Sequence, residues 1–71
     1  MAEDIRIKFG NHLRRLRKKK GWTQEELAER ADIAYKHVQR LEGRHPSPVK
    51  IDTIAKLAKA FGVRPSKLLD F

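Results

Sequence analysis

Apolar residues recur at helical spacing along almost the whole chain. The first segment places four of them on one helical face, at successive intervals of four, four and three residues: Ile5, Phe9, Leu13 and Leu16. No stretch alternates between apolar and polar residues, as a half-buried strand does. The pattern therefore predicts an all-α fold.

Glycine and proline residues divide this pattern into five short helices. We predict that they span about residues 2–19, 24–30, 35–42, 48–61 and 65–69, with the start of the fourth helix placed between Pro48 and Lys50. In the first helix, Glu3 and Asp4 lie in the first turn, which suits the helix dipole, and Gly21 marks the end. Ser47 as N-cap and Pro48 at the first helical position fit the start of the fourth helix.

The second helix carries the sharpest local signal in the sequence. Thr23 and Glu26 form the S/T-x-x-E capping box, in which each side chain accepts a hydrogen bond from the backbone of the other residue. Trp22 and Leu27 have the spacing of a hydrophobic staple around that cap. The second helix is expected to bury Leu27, Ala28 and Ala31. The apolar stripe of the fourth helix consists of Ile51, Ile54, Leu57, Ala58 and Phe61.

The second and third helices are joined by a short turn at residues 32–34, which is the helix-turn-helix arrangement. Val38 and Leu41, three residues apart, face inward in the third helix. Its outward positions carry the polar side chains of Tyr35, Lys36, Gln39 and Arg40. Because the major groove of DNA, about 12 Å wide, admits one such helix, these side chains are candidates for base contacts.

The charge balance favours an anionic partner. The chain has 17 Lys and Arg against 9 Asp and Glu, a formal net charge of +8. Six of the cations crowd into residues 14–20, where we expect a solvated helix face that adds general electrostatic attraction. Nucleic acid is the first candidate partner. An anionic membrane surface, contacted by the basic and amphipathic first helix, is the second.

Several classes of function lack the residues that they need. The chain has no cysteine, which excludes a disulfide, a cysteine–zinc site and a cysteine nucleophile, and which favours a reducing compartment such as the cytoplasm. The histidines at positions 12, 37 and 45 lack i,i+4 spacing, so we expect no metal site. No nucleophile, base and orienting group combine, so we expect no enzyme, no cofactor and no small-molecule ligand. No apolar run approaches the roughly 18 residues of a membrane-spanning helix.

Three stretches resemble the phage repressor and Cro-type helix-turn-helix family, also called the xenobiotic response element family. Residues 21–30, GWTQEELAER, are similar to its G-hydrophobic-T/S-Q-E-x-L-A signature, residues 38–42 to the end of its recognition helix, and residues 54–63 to its fourth helix. The resemblance implies a single lambda-repressor-like DNA-binding domain, 1–71, with the helix-turn-helix at about 23–42. It further implies a cytoplasmic, bacterial or phage-encoded transcriptional regulator that binds a two-fold operator in double-stranded DNA as a homodimer.

The same resemblance implies roles for individual residues. The base-reading positions of the family correspond to Tyr35, Lys36, Gln39 and Arg40. Its contacts to DNA phosphates correspond to Thr23, Gln24, His37, Arg44, His45 and Lys50. Arg17 and Glu42 correspond to the ion pair between the first helix and the end of the third, which implies a structural role.

Two residues depart from the family pattern. Asp32 stands where Gly or Asn is common. Ala34 stands where Ser or Thr is common, and its side chain cannot cap the third helix. The recognition helix can therefore begin at Tyr35 or one residue away from it.

The short length and the order of the helices are most similar to the controller proteins of restriction–modification systems, which implies dimerisation through the last helices. The candidate dimer residues are Leu68, Leu69 and Phe71, and the alternative is that all three close the core of the monomer. A different alternative is an antitoxin-like or other protein-binding module in which DNA binding is secondary.

Overall fold

The structure is a computed structural model, and it describes residues 4–71. Five helices follow one another within this range: α1 (Ile5–Lys20), α2 (Gln24–Ala31), α3 (Tyr35–Leu41), α4 (Ile51–Phe61) and α5 (Pro65–Leu68). The described residues contain no strand. The prediction of an all-α fold with five short helices is confirmed.

The ends of α1 and α2 follow local capping chemistry. Asp4 is the N-cap of α1, and its carboxylate accepts a hydrogen bond from the Arg6 backbone N–H at 3.0 Å. The prediction that Asp4 lies inside the first turn is therefore wrong, since its backbone is extended; Ala2 and Glu3 lie outside the described residues. The capping box of α2 is confirmed: Thr23 Oγ1 accepts from the Glu26 N–H at 3.1 Å, and Glu26 Oε1 accepts from the Thr23 N–H at 2.8 Å.

The fourth helix begins at Ile51, directly after the predicted interval of Pro48 to Lys50. Its N-cap is Lys50 rather than Ser47, and residues 46–50 are not helical. Pro46 is buried and Val49 packs against the core, so tertiary packing holds this segment in a non-helical path. Ile51 consequently occupies the first turn beyond the edge of the core, where it is 80% exposed, and its predicted place in the apolar stripe is wrong.

One apolar core joins the helices. Its fully or largely buried members are Phe9, Leu13, Leu27, Ala28, Ala31, Val38, Leu41, Leu57, Ala58, Phe61 and Leu68. Trp22 packs against this core, as the staple predicts, and its ring stacks on Phe61 with the centroids 5.4 Å apart. The Arg30 guanidinium lies over the same indole ring, 4.5 Å from its centroid, which adds a cation–π contact. The start of α2 is thereby attached to the end of α4.

Two backbone features set the position of α3. Gly10 lies in the middle of α1, and a Cβ atom at this position would overlap the carbonyl oxygen of Leu41, so the missing side chain lets α1 and α3 approach closely. Asp32 ends α2 in the left-handed conformation, with φ of 56°, and turns the chain towards α3. A non-glycine residue rarely adopts that conformation, although Asp tolerates it better than most.

Candidate nucleic-acid interface

The third helix presents a polar face to solvent. It begins at Tyr35, with Ala34 as an N-cap that makes no side-chain hydrogen bond. Of the two predicted starts, Tyr35 or one residue away from it, the helix therefore has the first. Val38 and Leu41 are buried, with exposures of 0% and 1%. The exposed residues are the four predicted to read bases: Tyr35, Lys36, Gln39 and Arg40. Within residues 4–71, none of these four side chains forms an ion pair or a hydrogen bond.

The two flanks of α3 border different surface depressions. Tyr35, at one flank, lines a cleft together with Thr23 and Gln24 from the start of α2. His37, at the other flank, is half-buried and lines a second depression together with Lys50. Successive helical residues are rotated by about 100°, which places positions 35 and 37 on opposite sides of the outward ridge. The predicted phosphate-binding residues are thus divided between the two sides of α3.

A network of hydrogen bonds centred on Glu42 ties the end of α3 to α1 and α2. Arg17 binds the Glu42 carboxylate through two parallel bonds, Nε to Oε2 at 2.8 Å and Nη2 to Oε1 at 2.9 Å. Its remaining terminal nitrogen, Nη1, donates to the Trp22 carbonyl oxygen at 2.7 Å. The two side chains are only 10% and 2% exposed, so the pair is largely removed from solvent.

The electrostatics of this pair agree with its geometry. The hydrogen bond to Glu42 raises the pKa of Arg17 above its ordinary value, and the partial burial that opposes the shift is the smaller effect. The Arg17 guanidinium therefore keeps its charge throughout the physiological pH range. Such a two-bonded arginine–carboxylate pair has a fixed geometry as well as a favourable energy.

Gln24 belongs to the same network, which the sequence did not indicate. Its Nε2 donates to Glu42 Oε1 at 3.0 Å. The carboxamide is thus oriented by a residue 18 positions further along the chain, and it retains a second N–H group and its oxygen for another partner. Thr23 accepts one hydrogen bond in the capping box, and its hydroxyl proton is left to donate.

The loop after α3 contributes two exposed cationic or titratable side chains. Arg44 and His45 are exposed, and Pro46, which follows them, is buried and fixes the loop to the core. Neither residue lines the cleft beside Tyr35 or the depression beside His37. The structure therefore brings Thr23 and Gln24 together but leaves Arg44 and His45 separate.

The three residues predicted to form the dimer interface differ in their burial. Leu68 is 0% exposed and belongs to the monomer core, so its prediction as a dimer-interface residue is wrong: α5 turns it inward. Leu69 follows the last residue of α5 and is 47% exposed, whereas Phe71 is 43% exposed. The Phe71 ring rests on α1, with its centroid 6.4 Å from that of Phe9 and 5.6 Å from that of His12.

Sequence reasoning missed two residues near the interface. Gly10 interrupts an amphipathic helix, where glycine costs about 1 kcal/mol relative to alanine, and that cost signals a close packing contact. Arg14 lines the cleft beside Tyr35, whereas the sequence assigned it only to a solvated helix face. Nothing in the spacing of residues 14–20 separates Arg14 from the other cations, because the orientation of α1 against α2 decides which of them faces the cleft.

The membrane-surface alternative depends on the apolar face of α1. Phe9 and Leu13 on that face are buried in the core, whereas Ile5, predicted on the same face, is 68% exposed. Among residues 4–71, no helix has the length and apolar character that a membrane crossing requires. The same residues contain no group of three or more His, Cys, Asp or Glu side chains placed to hold a metal ion.

Comparisons with known proteins converge on one type of molecule. A family model described as "Helix-turn-helix" matches residues 13–68. Control protein C.BamHI of Bacillus amyloliquefaciens is 39% identical over 72 residues, which cover 100% of this chain and 88% of that protein. The crystal structure of the restriction-modification controller protein C.AhdI from Aeromonas hydrophila has a TM-score of 0.83 and 38% identity, covering 89% of this chain and 94% of that one. The hypothetical transcription factor NHTF from Neisseria has a TM-score of 0.83 and 32% identity, covering 92% of this chain and 72% of that one.

Proposed function

The chain belongs to the helix-turn-helix family and is a DNA-binding transcriptional regulator, and we propose that it binds a two-fold operator as a homodimer, with α3 of each protomer in the major groove. The half-sites then lie about one helical turn, roughly 34 Å, or a multiple of it apart. Its relatives are named as a control protein, a restriction-modification controller protein and a hypothetical transcription factor, and these names support a regulatory role.

The observation that carries this proposal is the orientation of α3. Two inward anchors, Val38 and Leu41, fix the helix, and its outward ridge consists of side chains long enough to reach base edges. Tyr35, Lys36, Gln39 and Arg40 are proposed to read the bases. Because none of them is engaged within residues 4–71, contact with DNA would break no existing hydrogen bond or ion pair.

We propose that phosphate contacts flank this ridge on both sides. Thr23 and Gln24 contribute on the side of α2, where the first backbone N–H groups of a helix also favour an anion. His37 and Lys50 contribute on the side of α4. Arg44 and His45 extend the contacts along the loop that follows α3. These contacts supply affinity and register, and the ridge supplies discrimination.

The homodimer is proposed to form through the exposed apolar residues at the C-terminal end, Leu69 and Phe71. Sedimentation equilibrium of the free protein tests this interface. We expect the wild type to have twice the chain mass of 8.3 kDa, and we expect Leu69→Lys to shift towards the mass of the monomer. The matched control is Ile51→Lys, since Ile51 is another highly exposed apolar residue, on a different helix. Equal effects of the two substitutions would contradict the assignment of this face.

The regulatory role that we propose is that of a controller of a restriction–modification system, acting in the cytoplasm of a bacterium. Its support is the match in length to proteins that bear that name, since the chain covers 88% of C.BamHI and 94% of C.AhdI.

The decisive experiment is the selection of bound sequences from random duplex DNA. We expect a two-fold symmetric site, and we expect Arg40→Ala to lower affinity for it by about 5–150-fold, equivalent to 1–3 kcal/mol, while relaxing the preference at one base pair of each half-site. Lys59→Ala, which removes an exposed cation from the last turn of α4, is the charge-matched control. If no sequence is enriched, or if Arg40→Ala weakens all sequences equally, the assigned reading role is wrong.

A further inference from the structure

The cleft between α1, α2 and the start of α3 contains a cation that the structure leaves uncommitted. Arg14 and Arg17 line this cleft together with Gln24 and Tyr35. The Arg17 guanidinium donates hydrogen bonds to the Glu42 carboxylate and to the Trp22 carbonyl oxygen. Arg14, by contrast, is exposed and forms no hydrogen bond or ion pair within residues 4–71.

Arg14 changes the net charge of the side chains that line the cleft. Arg17 and Glu42 neutralise each other, which leaves Arg14 and Glu25 as the remaining ionised side chains of the lining. Without Arg14, the cleft would present an uncompensated carboxylate next to the predicted phosphate contacts, and like charges repel an incoming phosphate. With Arg14, a cationic side chain lines the same cleft as Thr23 and Gln24.

The neighbouring arginine shows that this placement is specific. Arg15 is rotated by about 100° around α1 from Arg14. It lines depressions with Lys8, Asn11 and Phe71, and with His12 and Leu16, but not the cleft beside Tyr35. The crowded basic run of residues 14–20 is therefore not uniform, because one of its uncommitted members faces the start of α2.

We propose that Arg14 binds the DNA backbone and contacts one phosphate jointly with Thr23 and Gln24. This proposal rests on the proposed function and adds a contact from α1 to it. Guanidinium groups suit the task, since they offer several donors in a plane to phosphate oxygens. The contact is made once in each protomer and hence twice in the dimer.

The test compares Arg14→Ala with Arg15→Ala, which remove the same charge from adjacent positions of one helix. The affinity of each for the selected operator is measured at several salt concentrations. Since each phosphate contact contributes about 0.9 to the slope of log K against log salt concentration, we expect Arg14→Ala to reduce its magnitude by about 1.8 per dimer. We expect Arg15→Ala to leave the slope near that of the wild type, and Arg14→Lys to restore most of the loss.

A double variant separates direct contact from simple compensation of Glu25. If Arg14 only balances that carboxylate, Arg14→Ala combined with Glu25→Gln returns affinity and slope to wild-type values, and the proposal is overturned. If Arg14 binds phosphate, the double variant keeps the reduced slope. Equal effects of Arg14→Ala and Arg15→Ala, or a changed base preference in Arg14→Ala, would also overturn it. A wild-type chain that selects no sequence would instead refute the proposed function, so the two failures are distinguishable.

Discussion

Removal of the Arg17 side chain tests whether the network around Glu42 holds the domain together. In Arg17→Ala, the Glu42 carboxylate loses both arginine bonds and retains only the hydrogen bond from Gln24. The Trp22 carbonyl oxygen loses its donor as well. Because the Glu42 side chain is 2% exposed, water cannot readily replace these partners.

The expected loss follows from this burial. Breaking a buried ion pair by removing one partner costs about 3–5 kcal/mol, and we expect the lower end because Arg17 is not completely enclosed. A domain of this size changes its melting temperature by about 4–8 °C per kcal/mol, so a loss of about 3 kcal/mol lowers it by roughly 12–24 °C. Thermal unfolding followed by circular dichroism, with urea unfolding at 25 °C, measures both quantities.

Two further variants make the reasoning refutable. Arg15→Ala removes an exposed arginine from the same helix and should change stability by no more than about 0.5 kcal/mol. Arg17→Met combined with Glu42→Leu removes both charges and should lie much closer to the wild type than Arg17→Ala does, because no charge is left stranded. A loss below about 1 kcal/mol in Arg17→Ala, the value typical of solvent-exposed pairs, would refute the view that the pair is desolvated.

Three more predictions concern backbone geometry and pH. Gly10→Ala should lower stability by about 1–3 kcal/mol despite the better helix propensity of alanine, because the new Cβ overlaps the Leu41 carbonyl oxygen; an unchanged or higher melting temperature would contradict the close approach of α1 and α3. Asp32→Gly should raise the free energy of unfolding by up to about 1 kcal/mol, and with it the urea midpoint, since glycine adopts the left-handed conformation without the steric cost. A lower midpoint would show that the Asp side chain stabilises the turn. The pKa of Arg17 is raised in the folded state, so its stabilisation is present at every pH below the ordinary pKa of arginine and is lost only as pH rises through the higher folded value. The difference in free energy of unfolding between the wild type and Arg17→Met/Glu42→Leu should therefore show no arginine titration between pH 5 and 9. Urea unfolding at several pH values measures this difference.

The fold was predictable where local chemistry decides it. The capping box at Thr23 and Glu26 and the glycine at position 21 act within a few residues, and both helix ends are where the sequence places them. The start of α4 was not predictable from Ser47 and Pro48, because its position depends on the burial of Pro46 and on the packing of Val49. Local rules permitted an earlier start, and contacts with distant residues prevented it.

The candidate site divides in the same way. The outward face of α3 follows from the three-residue spacing of Val38 and Leu41, which is a local property. The bond between Gln24 and Glu42 joins residues 18 positions apart, and the place of Arg14 depends on how α1 lies across α2. A residue type can indicate that a side chain binds anions, but only the packing of the helices determines which of several equivalent cations reaches the site.

The recognition helix is too short to be rigid on its own. It has seven residues and an N-cap without a side-chain hydrogen bond, whereas isolated helices shorter than about 12–15 residues are marginal in water. Its orientation must therefore come from tertiary anchors: Val38 and Leu41 beneath it, and Glu42 at its end. Because the same carboxylate also holds Gln24, a change at Glu42 alters both the direction of the proposed base-reading ridge and the position of a proposed phosphate contact. In a domain with so small a core, substitutions in this network should therefore change both the stability of the fold and the proposed readout of DNA.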